Sequence, residues 1–309
     1  MLGALTGFAI IAVIIAVGYL IARLEVLPDG AGLVLNRTAF FVGSPALLFT
    51  VLARADLSTV FSPFLVAAFV GALVAALLFV LASRLLFRMR FGDTVVGAAA
   101  SGYVNANNIG LPVATYVIGS TQYVAPVLLF QLLVFAPIVL TLLDVTARGT
   151  VSLKSVLLGP IRNPILIASV IGVIVAATGV ELPDPVMAPF DLVGGLAIPA
   201  MLIAFGMSLR GQRPFAAGSP RRAVLVATAI KTIAMPAITW VIAALVLHLP
   251  AAEVAAATVV AALPAAQNIN TYAVRYNQGV MLARDAVLFS TLASLPVILV
   301  IALLLHPAG

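Results

Sequence analysis

Apolar residues run along this chain in blocks of about 20, the length a helix needs to cross a bilayer core. The blocks are separated by short polar connections. Ten follow one another, at about 3–22, 31–53, 62–87, 93–118, 122–144, 162–179, 186–208, 222–247, 254–275 and 281–305. Pro28, Pro63, Gly119, Pro183 and Pro250 mark connections between them. The pattern predicts an all-α integral membrane fold of ten transmembrane helices. The first block lacks the basic start and small-residue cleavage site of a signal peptide, so it reads as a span.

Two blocks break the apolar pattern from within. In span 4, NANNIGLP (105–112) places Asn105, Asn107, Asn108, Gly110 and Pro112 mid-run; in span 9, LPAAQNIN (263–270) places Pro264, Gln267, Asn268 and Asn270. Proline removes a backbone donor and clashes with the preceding turn, while glycine permits non-helical geometry. Hydrocarbon offers no water to freed peptide groups, so irregular backbone survives there only against protein or a wet cavity. Carboxamides both donate and accept, and suit such a place. If the two breaks meet at mid-membrane, two half-helix amino ends meet there, each carrying about half a positive charge, and form a site for a carboxylate. The alternative is a pair of kinked helices glued by asparagines.

Position also singles out Lys231. It lies nine residues beyond Arg222, or roughly 13 Å at 1.5 Å per residue, near the middle of a core about 30 Å thick. A lysine there costs at least about 2.5 kcal/mol unless it faces a cavity or partner. Asp144, Asp191, Glu253 and Asp285 all read as end-of-span residues, which leaves an anion as the lysine's partner or, alternatively, carbonyl contacts reached by snorkelling. Pro45 and Pro199 interrupt spans 2 and 7 and either line a path opposite the breaks or kink scaffold helices. Gln131 reads as an interhelical hydrogen bond, and Arg54 with Asp56 as a solvated pair.

Composition narrows the classes. The chain has 309 residues, 63% hydrophobic and 8% charged, with a net charge of +6 and no cysteine. No polar gap is long enough for a soluble domain. Disulfides, thiol catalysis and Cys-bound metals are excluded, no nucleophile–base pair or phosphate loop appears, and no cofactor or metal is expected. Fourteen of the lysines and arginines fall in or beside odd-numbered connections, and Arg54 alone in an even one. That bias places the odd connections in the cytoplasm and both termini outside, and it accounts for the basic balance without nucleic acid.

An internal duplication is also legible. GSPALLF at 43–49 matches AIPAMLI at 197–203, an offset of 154, and Pro112 to Pro264 spans 152. Five spans per half, in 1–146 and 155–309, form a single transmembrane domain of two inverted repeats.

NANNIGLPVATYVIG (105–119), RNPILIASVIGVIVAATGVELP (162–183), AIPAMLIAFGMSL (197–209) and the ending from LPAAQNINTYAVRYNQGV (263–280) onward resemble the auxin efflux carrier family, which includes plant auxin exporters and bacterial carriers of organic acids. The resemblance covers essentially the whole chain. It implies crossed, broken helices 4 and 9, with Asn108, Pro112, Pro264, Gln267 and Asn268 marking the crossing. It also implies a scaffold of spans 1, 2, 6 and 7 that forms a homodimer, and a transport unit of spans 3–5 and 8–10 that moves as an elevator. The expected function is secondary transport of a small organic anion, a mono- or dicarboxylate, in a prokaryotic plasma membrane, with lipid and the anion as partners. Sodium-coupled relatives of this fold use acidic or densely polar ion sites, and this chain has no midplane acid, so sodium-independent transport is expected. The alternatives are a sodium-coupled symporter and a transporter-like receptor for an organic anion.

Overall fold

The computed structural model describes residues 2–55, 62–148, 162–211, 215 and 218–305. Every named element among them is helical: α1 (Leu2–Arg23), α2 (Ala31–Ala53), α3 (Pro63–Phe87), α4 (Phe91–Gly102), α5 (106–118), α6 (Thr121–Ala147), α7 (Pro164–Thr178), α8 (Asp184–Ser208), α9 (Arg221–Val246), α10 (Ala251–Ala261), α11 (Gln267–Tyr276) and α12 (Val280–Leu304). Six of them, α2, α3, α6, α8, α9 and α12, are long and apolar enough to cross a membrane. Asp56, Lys154, Arg213 and His306 lie outside the described residues.

Spans 4 and 9 each resolve into two helices, α4–α5 and α10–α11. In span 4 the chain leaves helical geometry at 103–105, before the asparagines, rather than at Gly110 or Pro112. Those two residues lie inside α5. Pro112 sits at its middle, and wide turns with i→i+5 bonds flank it at Ala106–Gly110 and Ala114–Ile118. In span 9 the break falls on Pro264, as the sequence predicts.

The two breaks satisfy each other's backbone. Val104 and Ala265 form an antiparallel bridge. The Asn105 N–H donates to the Pro264 carbonyl at 2.8 Å, and the Ala266 N–H to the Tyr103 carbonyl at 3.1 Å. The Ala265 N–H finds the Ser290 hydroxyl at 3.0 Å. Peptide groups released by unwinding inside an apolar medium are thus paired rather than orphaned.

Glycines set how closely the remaining helices approach. A β-carbon on Gly18 of α1 would overlap the Ile203 carbonyl of α8, and one on Gly172 of α7 would lie 2.9 Å from the Phe49 carbonyl of α2. Going from 18 to 172 and from 49 to 203 is the same step of 154 residues, so one contact recurs with the halves exchanged. Gly43 packs against Ala197, its own partner at that step, with a β-carbon position 2.9 Å from the Ala197 Cα. The bond pair at the breaks behaves likewise at a step of 161, since 103 maps to 264 and 105 to 266. The sequence match of Pro112 with Pro264 is therefore nine residues out of register with the backbone exchange.

The expected partner of Arg54, Asp56, lies outside the described residues. Arg54 binds Asp191 through both nitrogens, each at 2.9 Å. Both side chains are about half exposed, so the pair contributes about 0–1 kcal/mol. Two acids at helix ends are buried, Asp144 and Asp285. Asp285 accepts from the Ser219 hydroxyl at 2.5 Å and from Arg284 Nε at 2.8 Å.

Candidate functional site

Around the meeting of the breaks lies a cavity of about 110 Å³. Asn105, Asn107 and Asn108 reach it from the start of α5, Gln267, Asn268 and Thr271 from the start of α11, Asn36 from α2 and Gln131 from α6. Phe40, Leu128, Leu132 and Ile165 supply apolar wall, and no residue lining it is charged. Both helices present their amino ends here, where the first N–H groups of a helix lack partners within it. The Asn105 side chain accepts from the Asn108 N–H at 3.1 Å and so caps α5. α11 has no side-chain cap, so its leading donors remain for water or a ligand.

Three side-chain amides join across the breaks. Asn107 Nδ2 donates to Asn108 Oδ1 at 2.9 Å, and Asn108 Nδ2 donates to Gln267 Oε1 at 3.1 Å. Each link spends one acceptor and one donor, and the Gln267 amide nitrogen is the donor at the end of the run. Asn107 Nδ2 also approaches Met201 Sδ of α8 at 3.3 Å. Asn107 Oδ1 is buried without a hydrogen-bond partner, a cost that a water in the cavity would relieve.

Asn36, Asn108 and Gln267 also line a wider cavity of about 420 Å³. It runs between α1, α2 and α8 on one side and the two amino ends on the other, to Asp29, Gly30 and Arg210. Volumes of this size hold small molecules. Arg210 at its mouth is tied to the Ala22 carbonyl and to Glu25 at 2.6 Å.

A model of the membrane transport protein family matches residues 4–149 and 144–302. The chain belongs to that family, the auxin efflux carriers. It is a membrane transporter, and the two matched segments overlap at residues 144–149. No curated protein matches the chain.

The transporter brings Asn105, Asn107, Asn108, Gln267 and Asn268 to one cavity, as their sequence positions suggest. Gly110, Pro112 and Pro264 stand behind it: the first two pack within α5, and Pro264 contributes its carbonyl to the backbone exchange. Asn270 lies one turn along α11 and lines neither cavity. Pro45 and Pro199 lie within α2 and α8, away from both cavities. Lys231 is fully buried but also lines neither. Its Nζ donates to the Ala261 carbonyl, the last of α10, at 2.7 Å and approaches Met235 Sδ at 3.1 Å. Sequence reading passed over Asn36, Tyr103 and Met201. Asn36 alone carried a signal, as a carboxamide inside a predicted span.

Proposed function

We propose that the protein is a secondary active carrier of a small organic anion, a mono- or dicarboxylate, that works without sodium. The observation that carries this reading is the amide run from Asn107 through Asn108 to Gln267, at an uncharged cavity where two helix amino ends converge. One carboxylate fits a space of about 110 Å³, several times the roughly 30 Å³ of a water molecule. Uncapped N–H groups and amide donors bind its oxygens in the manner of other anions at helix starts.

The architecture that goes with this reading has ten spans in two inverted five-helix repeats, with the fourth and ninth broken and crossed. Contacts that recur with the halves exchanged support it. The wide cavity supports an elevator, because one wall belongs to α1, α2 and α8 and the other to the amide-bearing helices. A unit of spans 3–5 and 8–10 sliding along a scaffold of spans 1, 2, 6 and 7 would carry the bound anion from one side to the other. The scaffold pairs in a homodimer, both termini face outward, and the membrane is a prokaryotic plasma membrane. In that orientation Arg210 puts the open cavity on the cytoplasmic side.

Counterflow into liposomes tests the reading. Vesicles loaded with unlabelled malonate, succinate, malate or benzoate are expected to accumulate the radiolabelled acid transiently, with the same rate in choline as in sodium medium. Accumulation only with sodium would replace this reading by a sodium symporter. Saturable binding without any counterflow would replace it by a receptor.

A further inference from the structure

Two helix amino ends at the crossing are matched by two carboxyl ends, those of α4 and α10, which stop at the same breaks. Each carboxyl end carries about half a negative charge, as each amino end carries about half a positive one. The four termini therefore cancel to first order. No charged side chain lines the cavity. Broken helices alone do not make the crossing electropositive.

The two carboxyl ends differ in one respect. At α10 the final carbonyl, Ala261, receives the Lys231 ammonium at 2.7 Å. A step of 159 residues takes α4 to α10 at their last residues (102 to 261), and the same step takes Ala72 to Lys231. At that corresponding place Gly102 packs against the Ala72 carbonyl, with a β-carbon position 2.6 Å from its oxygen. α4 has no basic residue in its last turn. The last residue of α4 thus meets a backbone carbonyl of α3 and no cation, while the last carbonyl of α10 holds a lysine amine.

We propose that Lys231 is the positioning residue that makes the cavity select anions without touching them. Resting on the carrier reading, this assigns the selectivity to a cation built into the protein at the carboxyl end of α10. A lysine buried from water and held by a backbone carbonyl and a thioether leaves its charge uncompensated by any acid on its own contacts. Lys231 lines neither space, but its two partners, Ala261 and Met235, border a small one that shares Val104 and Gln131 with the asparagine cavity. At a separation on the order of 10 Å, with an effective dielectric of about 20, a unit charge changes anion affinity on the order of tenfold. A neutral ligand of the same shape feels almost none of that. The tethered ammonium also does the work of a co-bound metal cation, which accounts for transport without sodium.

Two measurements decide it. In the first, binding of malonate and of its neutral diamide, malonamide, is compared in wild type and in Lys231→Gln, which keeps a donor for the Ala261 carbonyl but not the charge. The preference for malonate over malonamide is expected to fall about tenfold, through malonate alone; an unchanged preference overturns the proposal. In the second, thermal unfolding of ligand-free Lys231→Ala is followed with propylammonium, sodium or 1-propanol added. Propylammonium is expected to restore the midpoint and the other two are not; equal recovery with propanol would make the lysine a space-filler and overturn the proposal. If wild type binds neither probe, the organic-anion reading fails for malonate-like ligands, while the unfolding arm still decides what the lysine does.

Discussion

Asn108→Ala is expected to slow anion uptake about a hundredfold while the protein still inserts and remains monodisperse in detergent. Asn108 is the middle link of the amide run: its Oδ1 accepts from Asn107 and its Nδ2 donates to Gln267. Truncation leaves Gln267 Oε1 without its donor and Asn107 Nδ2 with only the Met201 thioether, a weak acceptor, each at a cost of about 1–3 kcal/mol. It also frees the Gln267 side chain to turn away from the α11 amino end. Two losses near 1.4 kcal/mol each amount to about a hundredfold in affinity or rate. The backbone exchange between Asn105 and Pro264 uses no Asn108 atom, so the meeting of the two breaks persists. Gln267→Ala is expected to give a similar loss. The double variant is expected to be scarcely worse than either single one, because residues in one hydrogen-bonded run fail to add. Uptake rates in liposomes, with midpoints of thermal unfolding as the folding control, check both statements. Normal uptake in Asn108→Ala would remove the amide run from the site, and strictly multiplicative losses would separate the two residues into independent contacts.

Much of this site was legible because the bilayer makes polarity informative. In an apolar span a carboxamide stands out against its neighbours, and five of those flagged at the two breaks converge on one cavity. The place of the first break was not legible. Gly110 and Pro112 are the local breakers of helix geometry, yet Gly110 keeps φ at −64° and the helix passes through both. What opens span 4 at 103–105 is the exchange of peptide bonds with a segment some 160 residues away, and no local propensity encodes that. The same limit applies to charge pairs. Depth along span 8 predicted that Lys231 is central, but its acceptor is a backbone carbonyl, which carries no sequence signature. Arg54 binds a distant acid, Asp191, that no local pattern points to. Repeats read from letters fared better at the match of GSPALLF with AIPAMLI than at Pro112 and Pro264. Gly18 and Gly172, or Gly43 and Ala197, hold places where backbones touch and small size is required at both copies. Pro112 and Pro264 are alike only in type.

Gly206→Ala is expected to lower the unfolding midpoint strongly, whereas Gly195→Ala in the same helix is expected to raise it slightly. A β-carbon at Gly206 would overlap the Ile15 carbonyl and come within 2.9 Å of the Tyr19 nitrogen and 3.0 Å of the Gly18 Cα. All three belong to the backbone of α1, so no flexible side chain can yield, and α1 must move as a body. Overpacking of this kind costs about 1–3 kcal/mol, sometimes more. The displacement reaches the wide cavity as well, since Ala22 of α1 and Phe205 and Met207 of α8 share its wall; uptake is expected to fall more than stability alone would require. At Gly195 nothing lies within 4 Å of an added β-carbon. There alanine only removes the entropy penalty of glycine in a helix, about 0.5–1 kcal/mol in the stabilising direction. Gly172→Ala, whose β-carbon would meet the Phe49 carbonyl at 2.9 Å, tests the packing of α7 on α2 and is expected to destabilise less than Gly206→Ala. The order Gly206, Gly172, Gly195 in loss of midpoint follows from backbone proximity alone. An inverted order would mean that α1 and α7 are not held against α8 and α2 by glycine contacts, and the recurrence of one packing in both halves would lose its physical basis.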